Sequence, residues 1–197
     1  MNIKLLHLYP EAMSLYGEYA NLTLLSRYLT WRGAEVEVKA VGCDEAPDFT
    51  GADLIYMGAG TERTQKAALG WLTPYKDALK EAAEGSQVLF TGNAMELLGA
   101  SITDQKGTVY EGLGFGGFAT VETDKRVPHD AIAKTDLFPE PVVGFMNKCS
   151  HTSGVETPIF EAMTMGMGNE KEVGPEGFRH GNVVGTHITG PVLVKNP

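Results

Sequence analysis

Short apolar runs of strand length alternate with helical patterns through the first hundred residues, and this alternation limits the fold more than any other feature. Residues 3–8 form an apolar run typical of a buried strand. A leucine stripe at helical spacing predicts a helix over 18–32, with Gly33 at its C-terminal cap. Further strands are predicted at 35–41, 52–57 and 87–90, and further helices at 64–69, 74–84 and 94–98. The order β-α-β-β-α-β-α predicts a mostly parallel sheet with helices on both faces.

The second half of the chain is rich in glycine and has shorter apolar runs. Strands are predicted there at 109–110, 118–123, 142–145 and 183–188. The segment 168–177 carries Gly, Asn and Glu and is predicted to be a hairpin or an exposed loop. No repeat or linker divides the sequence. We therefore expect a single domain over 1–197 whose sheet gains antiparallel strands late in the chain.

The composition excludes several classes of function. The chain carries 16 Lys and Arg against 25 Asp and Glu, a formal net charge of −9, which argues against a nucleic-acid partner. No apolar run approaches the roughly 18 residues of a membrane span, and the first ten residues do not resemble a secretory signal. Two cysteines, Cys43 and Cys149, do not make a disulfide scaffold. These features favour the cytoplasm.

The segment 88–99 contains the most informative turn in the sequence. A buried strand reaches Thr91-Gly92-Asn93, a sharp turn of small residues, and a short helix follows. A nucleophile elbow has this pattern, because its reactive residue lies at the start of a helix beside free backbone N–H groups. An ordinary strand-to-helix turn has the same pattern, and this segment alone favours that simpler interpretation.

Several ordered segments across the whole chain identify a resemblance. They are 8–10, 15–21, 31–33, 58–65, the elbow with Leu97-Leu98-Gly99, 111–114, 144–147, 166–169, 185–191 and 195–197. In these segments the chain resembles glutamine amidotransferases of the cobyric acid synthase type, and most of all the small glutaminase subunit of lipid II isoglutaminyl synthase. The resemblance implies a three-layer, flavodoxin-like α/β fold of the class I glutamine amidotransferases. It also implies an ATP-dependent synthetase as partner, one similar to Mur ligases, and no cofactor.

The family hydrolyses glutamine with a cysteine at the elbow and a histidine near the C-terminus. In this sequence an alignment on Leu97-Leu98-Gly99 places Gly92 at the cysteine position, and an alignment on Gly190-Pro191 places Thr189 at the histidine position. A γ-glutamyl thioester needs a sulfur atom, so this substitution removes the nucleophile. The sequence therefore predicts a chain that cannot hydrolyse glutamine.

Other residues are candidates for a remnant of the site. Gly58, Ala59 and Gly60 are expected to form an oxyanion-type loop, and Asn93, Arg126 and Asn147 are candidate ligand-binding residues. Arg126 is assigned by resemblance to the family's glutamine-binding arginine, and Asn93 is more simply interpreted as a helix cap. His187 is a candidate substitute base, although packing beside the old pocket is the simpler interpretation. Cys149 and His151, in a stretch predicted to be a loop, are too few for a metal site, and no metal is expected.

Three functions follow from these features. The first is a non-catalytic amidotransferase-like subunit that binds a synthetase or senses a glutamine-like ligand. The alternative is an active glutaminase subunit that supplies ammonia to a Mur-ligase-like or cobyrinate-amidating synthetase. A stand-alone small-molecule binding protein is the third.

Overall fold

The computed structural model describes residues 1–170 and 173–196, and these residues form two sheets with helices around them. The strands are β1 (Asn2–Leu8), β2 (Glu35–Val41), β3 (Leu54–Met57), β4 (Gln87–Thr91), β5 (Ser101–Thr103), β6 (Val109–Glu111), β7 (Ala119–Lys134), β8 (Val142–Ser153), β9 (Ala162–Met165), β10 (Phe178–His180) and β11 (Val183–Thr186). The α-helices are α1 (Tyr19–Trp31), α2 (Glu62–Leu72), α3 (Lys76–Ala82) and α4 (Val192–Lys195), and 3-10 turns lie at Leu15–Gly17, Thr73–Tyr75 and Gly92–Leu98.

The first sheet has the strand order β10-β11-β4-β3-β1-β2, and all its neighbouring pairs are parallel except β10 with β11. Its central strands are buried because their apolar runs are covered by helices on both faces. The predicted mostly parallel α/β fold is confirmed. Glycine at position 33 has φ +91°, which fits the predicted cap after α1.

The late strands correct one expectation about the sheet. Only β10 and β11 join the first sheet, whereas β5 to β9 build a second sheet with the order β6-β5-β7-β8 and β9 paired to β7. The reason is the length of the hairpin between β7 and β8, which have 16 and 12 residues and hydrogen-bond to each other. Charged residues interrupt β7, so its length does not show as one apolar run.

Two local predictions are also wrong. The strand predicted at 142–145 continues to Ser153, so Cys149 and His151 lie in β8 and not in a loop. The strand predicted at 183–188 ends at Thr186. In the segment 168–177, residues 171 and 172 lie outside the described residues. The side chain of Asn169 accepts a hydrogen bond from the Gly177 N–H and donates one to the Gly177 carbonyl, which joins the two ends of the segment. None of the described helices is long and apolar enough to cross a bilayer.

Candidate functional site

Gly92 lies at the turn between β4 and the 3-10 helix that follows, which we call the elbow (residues 91–93). Its φ is +62°, in the left-handed region that a side chain makes unfavourable. The backbone therefore makes the sharp strand-to-helix turn expected of a nucleophile elbow. The residue at its apex has no side chain.

The space around Gly92 is filled. A Cβ atom at this position would lie 2.5 Å from the Cβ of Ala59 and 2.8 Å from Cγ2 of Thr189, closer than van der Waals contact allows. Ala59 and Thr189 come from separate parts of the chain and meet only in the folded protein. Both the backbone angle and the packing therefore favour glycine at the elbow.

The predicted oxyanion-type loop (residues 58–60) follows β3 and packs against the elbow. The side chain of Asn93 accepts a hydrogen bond from the Gly60 N–H at 2.9 Å and donates one to the Gly60 carbonyl at 2.9 Å. Because the Gly60 N–H is bonded to Asn93, it is not free to donate a hydrogen bond to a ligand. The 3-10 helix has no side-chain cap, and the interpretation of Asn93 as a helix cap is wrong.

A buried carboxylate, Glu18, lies directly before α1 and holds the elbow through hydrogen bonds. It accepts hydrogen bonds from the hydroxyls of Thr91 and Tyr56 and from the backbone N–H of Gly190, the last at 3.0 Å. Burial raises the pKa of Glu18, although these three donors work against that rise. The sequence did not single out Glu18, because its partners lie 38 to 172 positions away.

His187 is buried beside the elbow and faces two carboxylates. Its Nδ1 lies 3.0 Å from Oε1 of Glu176, which also accepts the backbone N–H of His187 at 2.8 Å. Its Nε2 lies 3.4 Å from Oε1 of Glu96, too far for a strong hydrogen bond. Thr189 donates its hydroxyl to the Phe145 carbonyl at 3.1 Å. Both His187 and Thr189 line the cavity at the elbow.

These contacts belong to a cluster of ionisable groups that the sequence analysis missed. Glu96 follows the elbow in the 3-10 helix, Lys148 comes from β8, and Glu176 and His187 complete the cluster; all four are buried. Burial alone would raise the pKa of Glu96, but His187 and hydrogen-bond donors such as Ser150 hold it below its usual value. Burial lowers the pKa of Lys148, whose Nζ donates to the carbonyls of residues 168 and 169 at 2.8 and 2.9 Å.

Arg126 and Asn147, two of the predicted ligand-binding residues, lie side by side, and Asn147 lines the cavity at the elbow. Arg126 pairs with Glu62 and also lies 3.4 Å from Oδ1 of Asn147, whose Nδ2 donates to the Tyr16 hydroxyl at 2.8 Å. The Glu62 pair raises the pKa of Arg126 above its ordinary value. Tyr16 has φ +61°, an unusual backbone angle for a tyrosine. Tyr16 and Asn147, bonded to each other, both line the elbow cavity, and we call this side of the cavity its mouth.

The cavity behind this mouth has a volume of about 20 Å³. That volume holds about one water molecule and no glutamine. Binding of a glutamine-like ligand therefore stays a prediction that requires the mouth to open. A groove of about 630 Å³ lies at the amino ends of β3 and β4, away from the elbow.

Cys149 does not supply a replacement nucleophile. Its Sγ lies 3.1 Å from Oε1 of Glu62, and burial together with this carboxylate raises the pKa of the thiol to about 12. A thiol with this pKa carries almost no thiolate at neutral pH. His151 is exposed. The described residues contain no group of three or more His, Cys, Asp or Glu placed to hold a metal ion.

Comparison with known proteins identifies the family of the chain. Residues 4–197 match the model of the CobB/CobQ-like glutamine amidotransferase domain. The chain belongs to this family. It is 31% identical over 191 residues to the GatD subunit of the glutamine-hydrolysing lipid II isoglutaminyl synthase of Staphylococcus aureus, which covers 96% of this chain and 78% of the relative. It is 28% identical over 198 residues to the corresponding GatD subunit of Streptococcus pneumoniae, covering 98% of this chain and 76% of the relative.

Proposed function

We propose that this chain is a non-catalytic, GatD-like subunit of the CobB/CobQ-like amidotransferase family. The observation that carries the proposal is the filled elbow: Gly92 has no nucleophile, and Ala59 and Thr189 leave no room for one. An enzyme that had lost only its cysteine would keep an open place for the side chain. Here the neighbouring residues occupy that place.

The rest of the site supports the same conclusion. A general base needs a proton donor within hydrogen-bond reach. The Nε2 of His187 faces the Glu96 carboxylate and not a hydroxyl or thiol nucleophile, and Thr189 donates its hydroxyl to a backbone carbonyl. An oxyanion hole needs free N–H donors, and the Gly60 N–H is bonded to Asn93. For the alternative of an active glutaminase subunit, the pairing of His187 Nδ1 with Glu176 resembles that of an oriented base, but Gly92 at the elbow offers no nucleophile for it to activate.

The partner that we propose is an ATP-dependent synthetase similar to Mur ligases. The supporting observation is that the two GatD relatives are, by name, subunits of lipid II isoglutaminyl synthase. We propose that this chain stabilises such a synthetase in the cytoplasm, as a single domain over 1–197. A cobyrinate-amidating synthetase is the other candidate partner. A role in sensing a glutamine-like ligand requires Tyr16 and Asn147 to separate.

The test is ammonia release from glutamine by the purified chain, alone and with the synthetase, with Staphylococcus aureus GatD and its synthetase as positive control. We expect no release above the buffer blank in either state. Glutamine-dependent release that is lost in His187→Gln would refute the proposal and support the active alternative.

A second experiment tests the filled elbow directly. Restoring the two side chains alone, in Gly92→Cys/Thr189→His, is expected to give no activity because Ala59 still occupies the space of the new Cβ. The matched variant adds Ala59→Gly and provides that space. Activity in the double variant without Ala59→Gly would contradict the packing argument, even if the natural chain is inactive.

A further inference from the structure

The strand β2 is one of the two edge strands of the first sheet, and no described strand bonds to its outer side. Glu35 donates its N–H to the Met1 carbonyl, and the Val41 carbonyl accepts from Tyr9, so these two residues direct their backbone groups toward β1. Since the direction of these groups alternates along a strand, Val36, Val38 and Ala40 direct their N–H and C=O groups outward. This edge is therefore able to pair with another strand.

The side chains of β2 are complementary to a second, antiparallel copy of the same strand. When Val38 faces its own copy, Val36 faces Ala40 and Glu37 faces Lys39. Within residues 36–40, opposite charges meet at two symmetric places and apolar side chains meet at the other three, while Glu35 faces Val41 at each end. Charged side chains often protect a sheet edge, but here they compensate each other.

The two nearest antiparallel registers are less favourable. The alternation of outward backbone groups allows only shifts of two residues. One shift places Glu37 against its own copy, and the opposite shift places Lys39 against its own copy. Both create a like-charge contact on the two-fold axis. The register centred on Val38 avoids like charges.

The helix α1, which packs against β2, carries exposed aromatic residues. Trp31 is 79% exposed at the end of α1 and Tyr19 is 60% exposed at its start, unusual values for such large side chains. The helix packs on β2 through an apolar cluster that includes Leu29 and Val36. In a two-fold arrangement, the start of one α1 lies at the level of the end of the other.

We propose that this chain forms a symmetric dimer through β2, with Val38 on the two-fold axis and the first sheets of both copies continuous. The interface uses the same surface on both copies, as is usual for two-fold dimers. It does not depend on the chemistry of the elbow. Its failure would leave the proposed function untouched, since that is tested by ammonia release.

The first test is the oligomeric state by sedimentation velocity at increasing concentration of the full chain. We expect a dimer, and we expect Lys39→Glu to raise the dissociation constant by at least about tenfold, because two attractive contacts become repulsive. The charge exchange Glu37→Lys/Lys39→Glu is the matched control and is expected to restore the dimer. A monomer at about 100 µM, or a dimer unaffected by Lys39→Glu, would overturn the proposal.

Disulfide trapping tests the register. In a Cys43→Ser background, Val38→Cys places two thiols on residues whose Cα atoms are about 5.5 Å apart, within reach of a disulfide. Glu35→Cys is the control, because its two copies would lie about 20 Å apart, six residues along the strands. We expect rapid oxidation to a covalent dimer only for Val38→Cys. Equal rates for both variants, or binding of a synthetase strand at this edge in place of a second copy, would refute this arrangement.

Discussion

Replacing Gly92 with alanine is expected to destabilise the protein through two separable effects. The left-handed φ of +62° costs about 1–2 kcal/mol once a Cβ is present. The contacts at 2.5 Å with Ala59 and 2.8 Å with Thr189 add about 1–3 kcal/mol of overpacking, because both neighbours are held in a close-packed region. We therefore expect Gly92→Ala to lower the free energy of unfolding by about 2–5 kcal/mol.

Two control variants separate these effects. Gly33 has φ +91° but no atom within 4 Å of an added Cβ, so Gly33→Ala reports the backbone cost alone. Ala59→Gly removes the nearest clashing methyl group, so the double variant Ala59→Gly/Gly92→Ala is expected to recover part of the overpacking cost. A double-mutant cycle over Ala59 and Gly92 isolates this coupling.

The assay is equilibrium unfolding in urea, monitored by circular dichroism. The dependence of the unfolding free energy on urea concentration is compared among the variants, to check that they unfold in the same way. We expect a coupling energy of at least about 1 kcal/mol between positions 59 and 92. If Gly92→Ala costs no more than Gly33→Ala, or if Ala59→Gly recovers nothing, the space at the elbow is not filled. The steric part of the proposed function would then be wrong.

Three further predictions concern buried titratable groups. Burial lowers the pKa of His7 to about 4, so between pH 6.5 and pH 4 the imidazole is protonated in the unfolded state but not in the folded state. About 3 kcal/mol of unfolding free energy, fully present above pH 6.5, is therefore expected to be lost as the pH falls toward 4. His7→Leu should flatten this slope in urea unfolding at several pH values, whereas the exposed control His151→Gln should not. The pKa of Glu96 is lowered in the folded state, so the ionised carboxylate stabilises the fold above about pH 4.5, and this stabilisation is lost as the pH falls through the folded pKa. The free energies of unfolding of Glu96→Gln and the natural chain are therefore expected to differ less in acid than at neutral pH, and a difference that does not change with pH would contradict this. A thiol reagent at pH 8 is expected to modify Cys43 in the folded protein and Cys149 only in urea; equally fast modification of both in the native state would contradict the burial of Cys149.

The order of elements and most of their bounds could be predicted because the signals are local. The leucine stripe of α1 and the apolar runs of β1 and β3 appear within a few residues of sequence. The second sheet could not be predicted in this way. The strands β7 and β8 are long, partly exposed and interrupted by charges, and their pairing is decided by contacts between distant residues.

For the candidate site, too, one part could be predicted from the sequence and another could not. By itself the sequence determined that position 92 has no sulfur or hydroxyl and that the turn around it joins a strand to a helix. Only the tertiary structure decided that Ala59 and Thr189 fill the space beside Gly92, and that His187 faces Glu96 and Glu176. The side chain of a residue determines which chemical groups it offers, whereas the space and the charges around it come from segments that meet only when the chain folds.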